Sequence, residues 1–356
     1  ATITAQPPEA IAAQAGERVV LAVSASSDLP VTYQWKRDGI NIPGATAATL
    51  TLDAAAAGDA GTYTVAITNA NGTILSRAVT LTVALPTSRI ANLSVRTEAG
   101  TGAQMLIVGI ALGGPNTSGN GAILIRGIGP SLSTFDITGY LPDPNIGFYE
   151  GSTVVATNDN WGGTTALGTL FTQVGAFPLT GPTSLDAALA LTPRGGTYTV
   201  QVAGAAGTTG NALVEIYDAS TGASAPRLVN VSARAQVGGA GGSLIAGFVI
   251  TGSGAKTVLI RAIGPTLGAF GVPGTLADPR VELLKSGVTA PFASNDNWSG
   301  TAAMAETFRQ VGAFQLAAGT RDAAILVTLE AGAYTAQVTS GDASAGVALV
   351  EVYEVP

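Results

Sequence analysis

The first 85 residues alternate apolar and polar positions in short runs that are separated by turn residues. Val19, Leu21 and Val23, for example, alternate with polar or small neighbours. Further runs of this kind are Thr32–Lys36, Thr49–Leu52, Thr62–Ile67 and Ala78–Val83. A period of two is typical of strands that are buried on one face. Short strands at close spacing, with no long helical pattern between them, predict a β-sandwich.

The rest of the chain contains one pattern twice. Ile123–Leu132 reads ILIRGIGPSL and returns as VLIRAIGPTL at Val258–Leu267, and 14 of 22 residues are identical between Ala156–Phe177 and Ala293–Phe314. The matching segments lie 135 to 137 residues apart, which indicates a duplicated domain and not a solenoid with repeats of about 20–50 residues. The predicted domains are 1–85, 89–220 and 227–356.

Both copies read mainly as short strands, but one segment of each has helical spacing. Leu167, Leu170, Phe171 and Val174 recur at the intervals of one helical face. Met304, Phe308 and Val311 repeat this spacing in the second copy. We therefore predict one short helix in each copy, near Thr165–Val174 and Ala302–Val311.

Two features of the first domain resemble the immunoglobulin fold of the I-set kind. Trp35 follows an apolar strand, and DAGTYTV at 59–65 matches the D-x-G-x-Y motif of that family. The resemblance implies that Trp35 packs in the core and that Tyr63 makes a tyrosine corner. It also implies that Val23 and Val65 occupy the positions of the two bridging cysteines, so that apolar packing replaces the bridge. The resemblance implies a fold and no particular activity, because immunoglobulin domains serve as spacers, adhesins and binding modules alike.

The second half of each copy carries a weaker resemblance. GTYTVQV at 196–202 and GAYTAQV at 332–338 are similar to the closing strand of jelly-roll modules such as bacterial pre-peptidase C-terminal domains. The copies resemble modules that accompany immunoglobulin-like domains in secreted surface proteins of environmental bacteria. The predicted fold class is all-β, with three tandem β-sandwich domains: one immunoglobulin-like, and two duplicated jelly-roll-like modules with one short helix each.

Composition excludes several classes of function. The chain has no histidine and no cysteine, which excludes Ser-His-Asp triads, His- or Cys-ligated metals, thiol nucleophiles and disulfides. Only 11% of the residues are charged and the net charge is −7, which disfavours nucleic acid as a partner. No apolar run approaches the ~20 residues of a membrane span, so we expect no transmembrane segment. An alanine at the first position is typical of a chain whose signal peptide has been removed, or of an artificial boundary. We expect an extracellular or cell-surface location.

The sharpest repeated motif is Asn-Asp-Asn-Trp, at 158–161 and again at 295–298. Clustered amide and carboxylate oxygens suit Ca²⁺, and an Asp-Pro before the preceding strand offers a second carboxylate in each copy. The candidate calcium ligands are Asp143, Asn158, Asp159, Asn160, Asp278, Asn295, Asp296 and Asn297. The alternative is a tight turn, in which Asn and Asp bond to their own backbone while Trp161 and Trp298 fill the core. The sequence favours the turn, because it lacks a D-x-D-x-D-G loop; exposed sugar-stacking tryptophans are the remaining interpretation.

Arg126 and Arg261 lie inside apolar strands of the two copies. A buried arginine needs a partner, because an unpaired buried charge is strongly destabilising. The repeated acids that could pair with them are Asp186 and Asp322, or Glu215 and Glu351. We predict a structural Arg–carboxylate pair that joins two strands. The Gly-Pro that follows is no phosphate loop, since no Gly-Lys-Ser/Thr follows it.

These features favour an extracellular structural or adhesive surface protein that is not an enzyme and assembles into fibres or a surface layer. Its expected partners are copies of itself, other surface proteins or glycans, and its one candidate cofactor is Ca²⁺. Sparse charge, sheet edges with few lysines and the β-prone Thr2-Ile3-Thr4 at the N-terminus favour self-assembly. In the alternative, Thr2–Thr4 is the first strand of its own domain and the chain is a monomeric spacer. The alternative function is a carbohydrate-binding accessory module of a larger secreted enzyme, which should expose aromatic side chains in a flat row.

Overall fold

A computed structural model describes residues 1–14, 17–53, 55–84, 87–101, 105–222, 224–238 and 242–356. The chain divides into two compact units, Ala1–Thr87 and Ser88–Pro356. Strands dominate both units, and the predicted all-β, multi-domain fold class is confirmed.

The first unit is a sandwich of short strands around one apolar core. Its strands are β1 (Thr2–Ala5), β2 (Ala10–Gln14), β3 (Val19–Ala22), β4 (Ser24–Ser26), β5 (Thr32–Arg37), β6 (Ile40–Asn41), β7 (Thr49–Leu52), β8 (Gly61–Asn69), β9 (Gly72–Leu75) and β10 (Val79–Ala84). The largest sheet has the order β2-β10-β8-β5-β6, with β9 paired to β8. Trp35, Val65 and Val23 are buried in the same core cluster, at 0%, 0% and 5% exposure. Alternating apolar residues thus bury one face of β3, β8 and β10.

The N-terminal strand β1 pairs antiparallel with β4 of the same unit, with Thr2 opposite Ser26. Thr2-Ile3-Thr4 is therefore the first strand of its own unit, as the alternative interpretation held. Self-assembly through this segment stays a prediction.

The second unit contains both copies of the repeated pattern. The first copy consists of β11 (Arg89–Ala99), β12 (Leu106–Gly113), β13 (Ile123–Ile128), β14 (Pro144–Glu150), β15 (Thr153–Asn158), α1 (Thr165–Gln173), β16 (Ala187–Leu191), β17 (Gly196–Gly204) and β18 (Gly210–Asp218). The second copy consists of β19 (Arg227–Val237), β20 (Leu244–Thr251), β21 (Lys256–Ile263), β22 (Pro279–Lys285), β23 (Ala293–Asn295), α2 (Ala302–Gln310), β24 (Ala323–Leu329), β25 (Gly332–Ser340) and β26 (Gly346–Glu354). The elements therefore correspond one to one.

Two eight-stranded sheets run through both copies. Sheet A has the order β16-β13-β18-β11-β20-β25-β22-β23, and sheet B has the order β15-β14-β17-β12-β19-β26-β21-β24. Numbered within one copy, the strands lie in the order 1-8-3-6 in one sheet and 2-7-4-5 in the other, which is the jelly-roll arrangement. The two jelly rolls are joined where β11 pairs with β20 and β12 pairs with β19. The first strand of each copy thus pairs with the second strand of the other copy, which is the relation that a two-fold axis produces.

Small residues make this join possible. Gly247 lies opposite Ser94, and Gly109 lies opposite Ser232. A Cβ atom at either glycine would come within 2.6 Å of the serine hydroxyl, closer than real contacts allow. One apolar core continues across the join, with buried residues from both copies. The predicted boundaries at 220 and 227 stay a prediction, since the two copies form a single compact unit.

Each jelly roll carries a small layer on the outer face of one sheet, which we call the cap. The cap contains a 3₁₀ turn (Pro130–Phe135 or Pro265–Phe270), the Asn-Asp-Asn-Trp loop and the helix α1 or α2. Strand β13 is buried at all six positions, because the core covers one face and the cap the other. The two predicted helices are confirmed. Each starts at a threonine N-cap, Thr164 or Thr301, and ends before a glycine with φ near +72° (Gly175 and Gly312).

Candidate functional site

Each cap is built over one buried ion pair. Arg126 on β13 lies directly opposite Glu215 on β18, and Arg261 on β21 lies directly opposite Glu351 on β26. In both copies Nε of the arginine donates to the carboxylate at 2.8 Å, and Nη2 donates to the same oxygen. The arginine side chains are 0% exposed, and the glutamates are 7% and 6% exposed. Of the two predicted pairs of acids, the structure selects the glutamates.

The remaining groups of the pair are also occupied. Nη1 of Arg126 donates to the carbonyl of Phe177 at 2.6 Å, and Tyr217 donates from its hydroxyl to Glu215 at 3.0 Å. The guanidinium carbon lies 4.9 Å from the ring centre of Phe171 and 4.3 Å from that of Phe177. Burial, together with the adjacent carboxylate, raises the pKa of Tyr217 above its ordinary value. A buried charge that is paired and hydrogen-bonded in this way holds strands, helix and loop together.

The repeated aspartates have a different partner from the arginines. Asp186 is 0% exposed and accepts from the backbone N–H of Gly129 at 2.7 Å and from the hydroxyls of Ser131 and Ser184. In the second copy, Asp322 accepts from Gly264 at 2.8 Å and from the hydroxyl of Thr266. Each carboxylate therefore fixes the start of the 3₁₀ turn that follows the arginine strand. Sequence reasoning missed the hydroxyl partners, whose only signal is a Ser or Thr two residues after the glycine.

The Asn-Asp-Asn-Trp loops join the two sheets at the outer edges of the sandwich. Oδ1 of Asn158 on β15 accepts from the backbone N–H of Ala188 on β16 at 2.9 Å, and its Nδ2 donates to the carbonyl of Asn160 at 2.9 Å. Asn295 makes the same pair of bonds, to Ala324 at 3.0 Å and to Asn297 at 2.9 Å. The first asparagine of each motif thus connects sheet A to sheet B.

The tryptophans of the motif lie inside the caps. Trp298 is 7% exposed and Trp161 is half-buried. Their ring centres lie 5.5 Å from Phe308 and Phe171 of the helices, and each indole N–H donates to a loop carbonyl, Ala317 or Gly181, at 3.1 Å. The indoles therefore fill the cap and do not form flat exposed platforms.

The other candidate calcium ligands are spread around these loops. Asp159, Asn160, Asp296 and Asn297 are exposed. Asp143 and Asp278 each have one buried carboxylate oxygen without a hydrogen-bond partner in the described structure. Among the described residues no group of three or more Asp, Glu, His or Cys side chains is placed to hold a metal ion. Calcium binding stays a prediction.

Outside the caps, three tyrosines make the same type of hydrogen bond to the main chain. Tyr63, Tyr198 and Tyr334 each donate from the hydroxyl to the carbonyl four residues earlier, at 2.7, 3.0 and 2.9 Å. Burial raises the pKa of all three hydroxyls. The tyrosine corner implied for Tyr63 is present, and each copy of the second unit has one as well. The recurring Gly-x-Tyr at 61, 196 and 332 was the signal in the sequence.

Each cap exposes one phenylalanine on its outer surface, at equivalent positions in the two copies. Phe135 and Phe270 end the two 3₁₀ turns and are 52% and 61% exposed. Their rings rest on Phe177 and Phe314, with centres 5.0 and 4.9 Å apart. Apart from these two, the only exposed aromatic side chain is Phe292, and all 20 aromatic residues lie in the described part of the chain.

No helix within the described residues is long and apolar enough to span a membrane.

Comparison with known proteins addresses the first unit. Residues 2–69 match the family model of the immunoglobulin domain. No curated protein matches the chain significantly. Similar solved structures include the tandem Ig repeats of Dlar, with 21% identity over 24% of this chain and 48% of that chain and a TM-score of 0.22. The N-terminal four Ig domains of Dscam1 isoform 8.4 give 19% identity over 21% of this chain and 19% of that chain, with a TM-score of 0.20. Two Ig domains of DIP-gamma give 20% identity over 22% and 44%, with a TM-score of 0.19.

The chain thus spans less than half the length of the solved structures that it resembles. The match to the family model is local: residues 2–69 of the first unit are similar to an immunoglobulin domain.

Proposed function

We propose that this chain is an extracellular structural or adhesive protein, in which an immunoglobulin-like domain is followed by a stiff pair of jelly rolls. The observation that carries the proposal is how the repeated polar residues are used. Arg126, Glu215, Asp186 and Asn158 and their counterparts all bind strands, turns and caps of the chain itself. These side chains therefore have structural roles, and contacts with partners are left to the outer surface.

The outer surface supports adhesion because it carries little charge and an exposed phenylalanine on each cap. A net charge of −7 over 356 residues gives weak repulsion between molecules. Phe135 and Phe270 offer apolar contacts at equivalent places in the two copies. Repeated contacts add avidity without any new type of interaction. We further propose that the protein acts at a cell surface, through contacts with itself or with other surface proteins.

The distribution of aromatic side chains favours this function over a carbohydrate-binding accessory module. Phe135 and Phe270 lie on the caps of different jelly rolls, and Trp161 and Trp298 lie inside the caps. Such an arrangement leaves no row of coplanar rings for a sugar chain. The likeness of the copies to pre-peptidase C-terminal domains stays a prediction.

Retention under flow tests the proposal. Beads coated with the full chain should stay on surfaces that carry the same protein or intact cells of the source, and should not stay on albumin. The variant Phe135→Ser/Phe270→Ser should release the beads at much lower shear, whereas Phe292→Ser is the matched control with another exposed phenylalanine removed. Retention on insoluble polysaccharide alone would support the alternative function, and no retention on any surface would contradict the proposal.

A further inference from the structure

One end of the first jelly roll carries a cleft of about 580 Å³, which we call the end cleft. Its walls are the loop between β12 and β13, the turn between β16 and β17, and Pro226 ahead of β19. The volume lies within the range of about 300–1,000 Å³ that is typical of small-molecule sites. The end cleft lies apart from the buried ion pair, the Asn-Asp-Asn-Trp loop and the exposed phenylalanine of the cap, none of which lines it.

Main-chain hydrogen bonds hold the loop of the end cleft on both sides. The N–H of Ser118 donates to the carbonyl of Ser224 at 2.9 Å, and the N–H of Gly121 donates to the carbonyl of Pro193 at 2.8 Å. A Cβ atom at Gly121 would lie 2.2 Å from the carbonyl oxygen of Pro226, so glycine is required for this close approach. A loop that is fixed in this way loses little conformational entropy when a ligand binds.

Three polar side chains of the end cleft have no partner in the described chain. The guanidinium of Arg194 makes no ion pair there, and the amide of Asn120 and the hydroxyl of Ser118 make no hydrogen bond there. The main chain of Arg194 is fixed, because its carbonyl accepts from the hydroxyl of Tyr198 at 3.0 Å. A guanidinium, an amide and a hydroxyl on one cleft can together bind a carboxylate and neighbouring hydroxyl groups.

The charges around the end cleft favour a negative ligand. Among the described residues no Asp or Glu lines it, although acids outnumber bases by 23 to 16 in the chain. A second guanidinium lies nearby, since Nη1 of Arg227 is 2.9 Å from the place of a Cβ atom at Gly114. The partner of Arg227 is Glu354, which is shared with Lys256. Cations therefore exceed carboxylates at this end of the module, and their field attracts an anion.

The second jelly roll differs at the equivalent place. Glu330 takes the position of Arg194, because the carbonyls of these two residues accept from the equivalent tyrosine hydroxyls. The loop that carries Ser118 has nine residues between Gly113 and the ILIR segment, whereas its counterpart has six between Thr251 and the VLIR segment. The donors of the end cleft therefore belong to the first copy.

We infer that the end cleft binds a carboxylated sugar, such as a uronic acid unit of a polysaccharide. The carboxylate accepts from the guanidinium of Arg194, and the ring hydroxyls exchange hydrogen bonds with Asn120 and Ser118. Four of the ten lining residues are glycine, and the only apolar side chains among them are Leu112 and Pro226. A lining of this kind suits a small hydroxylated anion better than an apolar ligand. The inference adds a glycan ligand to the proposed function, whose contacts lie on the caps, and does not depend on it.

Isothermal titration calorimetry of the full chain at low salt tests the ligand class. The probes are trigalacturonate, trimannuronate and a hyaluronan tetrasaccharide, with neutral maltotriose and inorganic phosphate as comparisons. At least one of the three acidic oligosaccharides should bind saturably and more tightly than maltotriose and phosphate. Arg194→Gln should weaken that binding about tenfold or more, because a charge-assisted hydrogen bond is lost. Arg96→Gln, which changes an exposed arginine on β11, is the matched control and should leave the binding unchanged.

A bulky side chain inside the end cleft tests the location. A Cβ atom at Gly113 would have no atom within 4 Å, so Gly113→Trp fills the cleft without a clash at Cβ. This variant should lose the binding and keep the Tm of the wild type, whereas Thr251→Trp at the equivalent position of the second copy should bind normally.

Three results would overturn the inference: no binding of any acidic oligosaccharide, equal binding of phosphate or maltotriose, or binding that both Arg194→Gln and Gly113→Trp leave intact. Beads coated with Arg194→Gln should still be retained under flow as the wild type is. That retention separates a failure of the glycan site from a failure of the proposed function.

Discussion

Arg126 in the first jelly roll and Arg261 in the second make the same bonds at the same distances, 2.8 Å to a glutamate and 2.6 Å to a carbonyl. The edges of the two copies, by contrast, differ in strand length, register and the position of proline. The buried pair tolerates little change because either charge left alone would be unpaired. An edge in contact with solvent carries no such penalty. The comparison teaches that the caps are the fixed part of the module and that the edges are the part free to acquire partners.

Loss of one arginine should lower the free energy of unfolding more than the substitutions that follow. The loss should be equal for the two copies. Arg126→Met or Arg261→Met leaves a buried glutamate unpaired and should lower the free energy of unfolding of the second unit by about 3–5 kcal/mol. Urea denaturation followed by circular dichroism measures this loss. The double variant Arg126→Met/Glu215→Leu should recover most of it, because no charge remains buried. Unequal losses for the two single variants would show that the caps are not equivalent.

Loss of the asparagine that joins the sheets should have a smaller effect. Asn158→Ala or Asn295→Ala leaves the N–H of Ala188 or Ala324 without its acceptor, and should lower the free energy of unfolding by about 1–2 kcal/mol. Asn158→Asp keeps the acceptor and should lose less. If the alanine variants match the wild type in urea denaturation, these hydrogen bonds do not hold the edges together.

The equivalent residues Asp218 and Glu354 should respond differently. Glu354 accepts from the N–H of Ile90 at 2.6 Å and pairs with Arg227 and Lys256, whereas Asp218 pairs with Arg89 alone at 3.4 Å. Burial raises the pKa of Asp218 above 3.8, so the folded chain holds this proton more tightly than the unfolded chain. The contribution of Asp218 to stability is therefore greatest at low pH and declines as pH rises through the raised pKa.

Asp218→Asn removes this titration. Relative to the wild type, the variant should gain stability between about pH 4 and about pH 7, as measured by urea denaturation at several pH values. Glu354→Gln, which loses two cationic partners, should be less stable than the wild type at neutral pH. A constant difference between Asp218→Asn and the wild type across this range would contradict the prediction.

Removal of calcium should have the smallest effect on the stability of the two copies. Binding at the Asn-Asp-Asn-Trp loops requires that excess chelator lower the Tm, because an ion bound only to the folded state stabilises it. The variant Asp159→Asn/Asp296→Asn should then lose its response to chelator. A Tm that is the same with and without chelator would leave these loops with their structural role alone.

The sequence specified the fold class and the local elements because its signals are local. Period-two alternation predicted the strands, and the spacing of Leu167, Leu170 and Phe171 predicted the helix of the cap. Duplication was visible as identity along the chain, and a buried arginine in an apolar strand required an acidic partner. Those conclusions need only neighbouring residues and the rule that buried charges are paired.

Only the tertiary structure decided which groups meet. It selected Glu215 over Asp186 as the partner of Arg126, because those two residues lie opposite each other on paired strands. It joined the jelly rolls by pairing β11 with β20 and β12 with β19. Strand order is set by which edges bury the most apolar surface together, a sum over residues far apart in the chain. A single sequence records the pattern of each strand but not its neighbour, and the neighbour determines both the site and the surface that remains for partners.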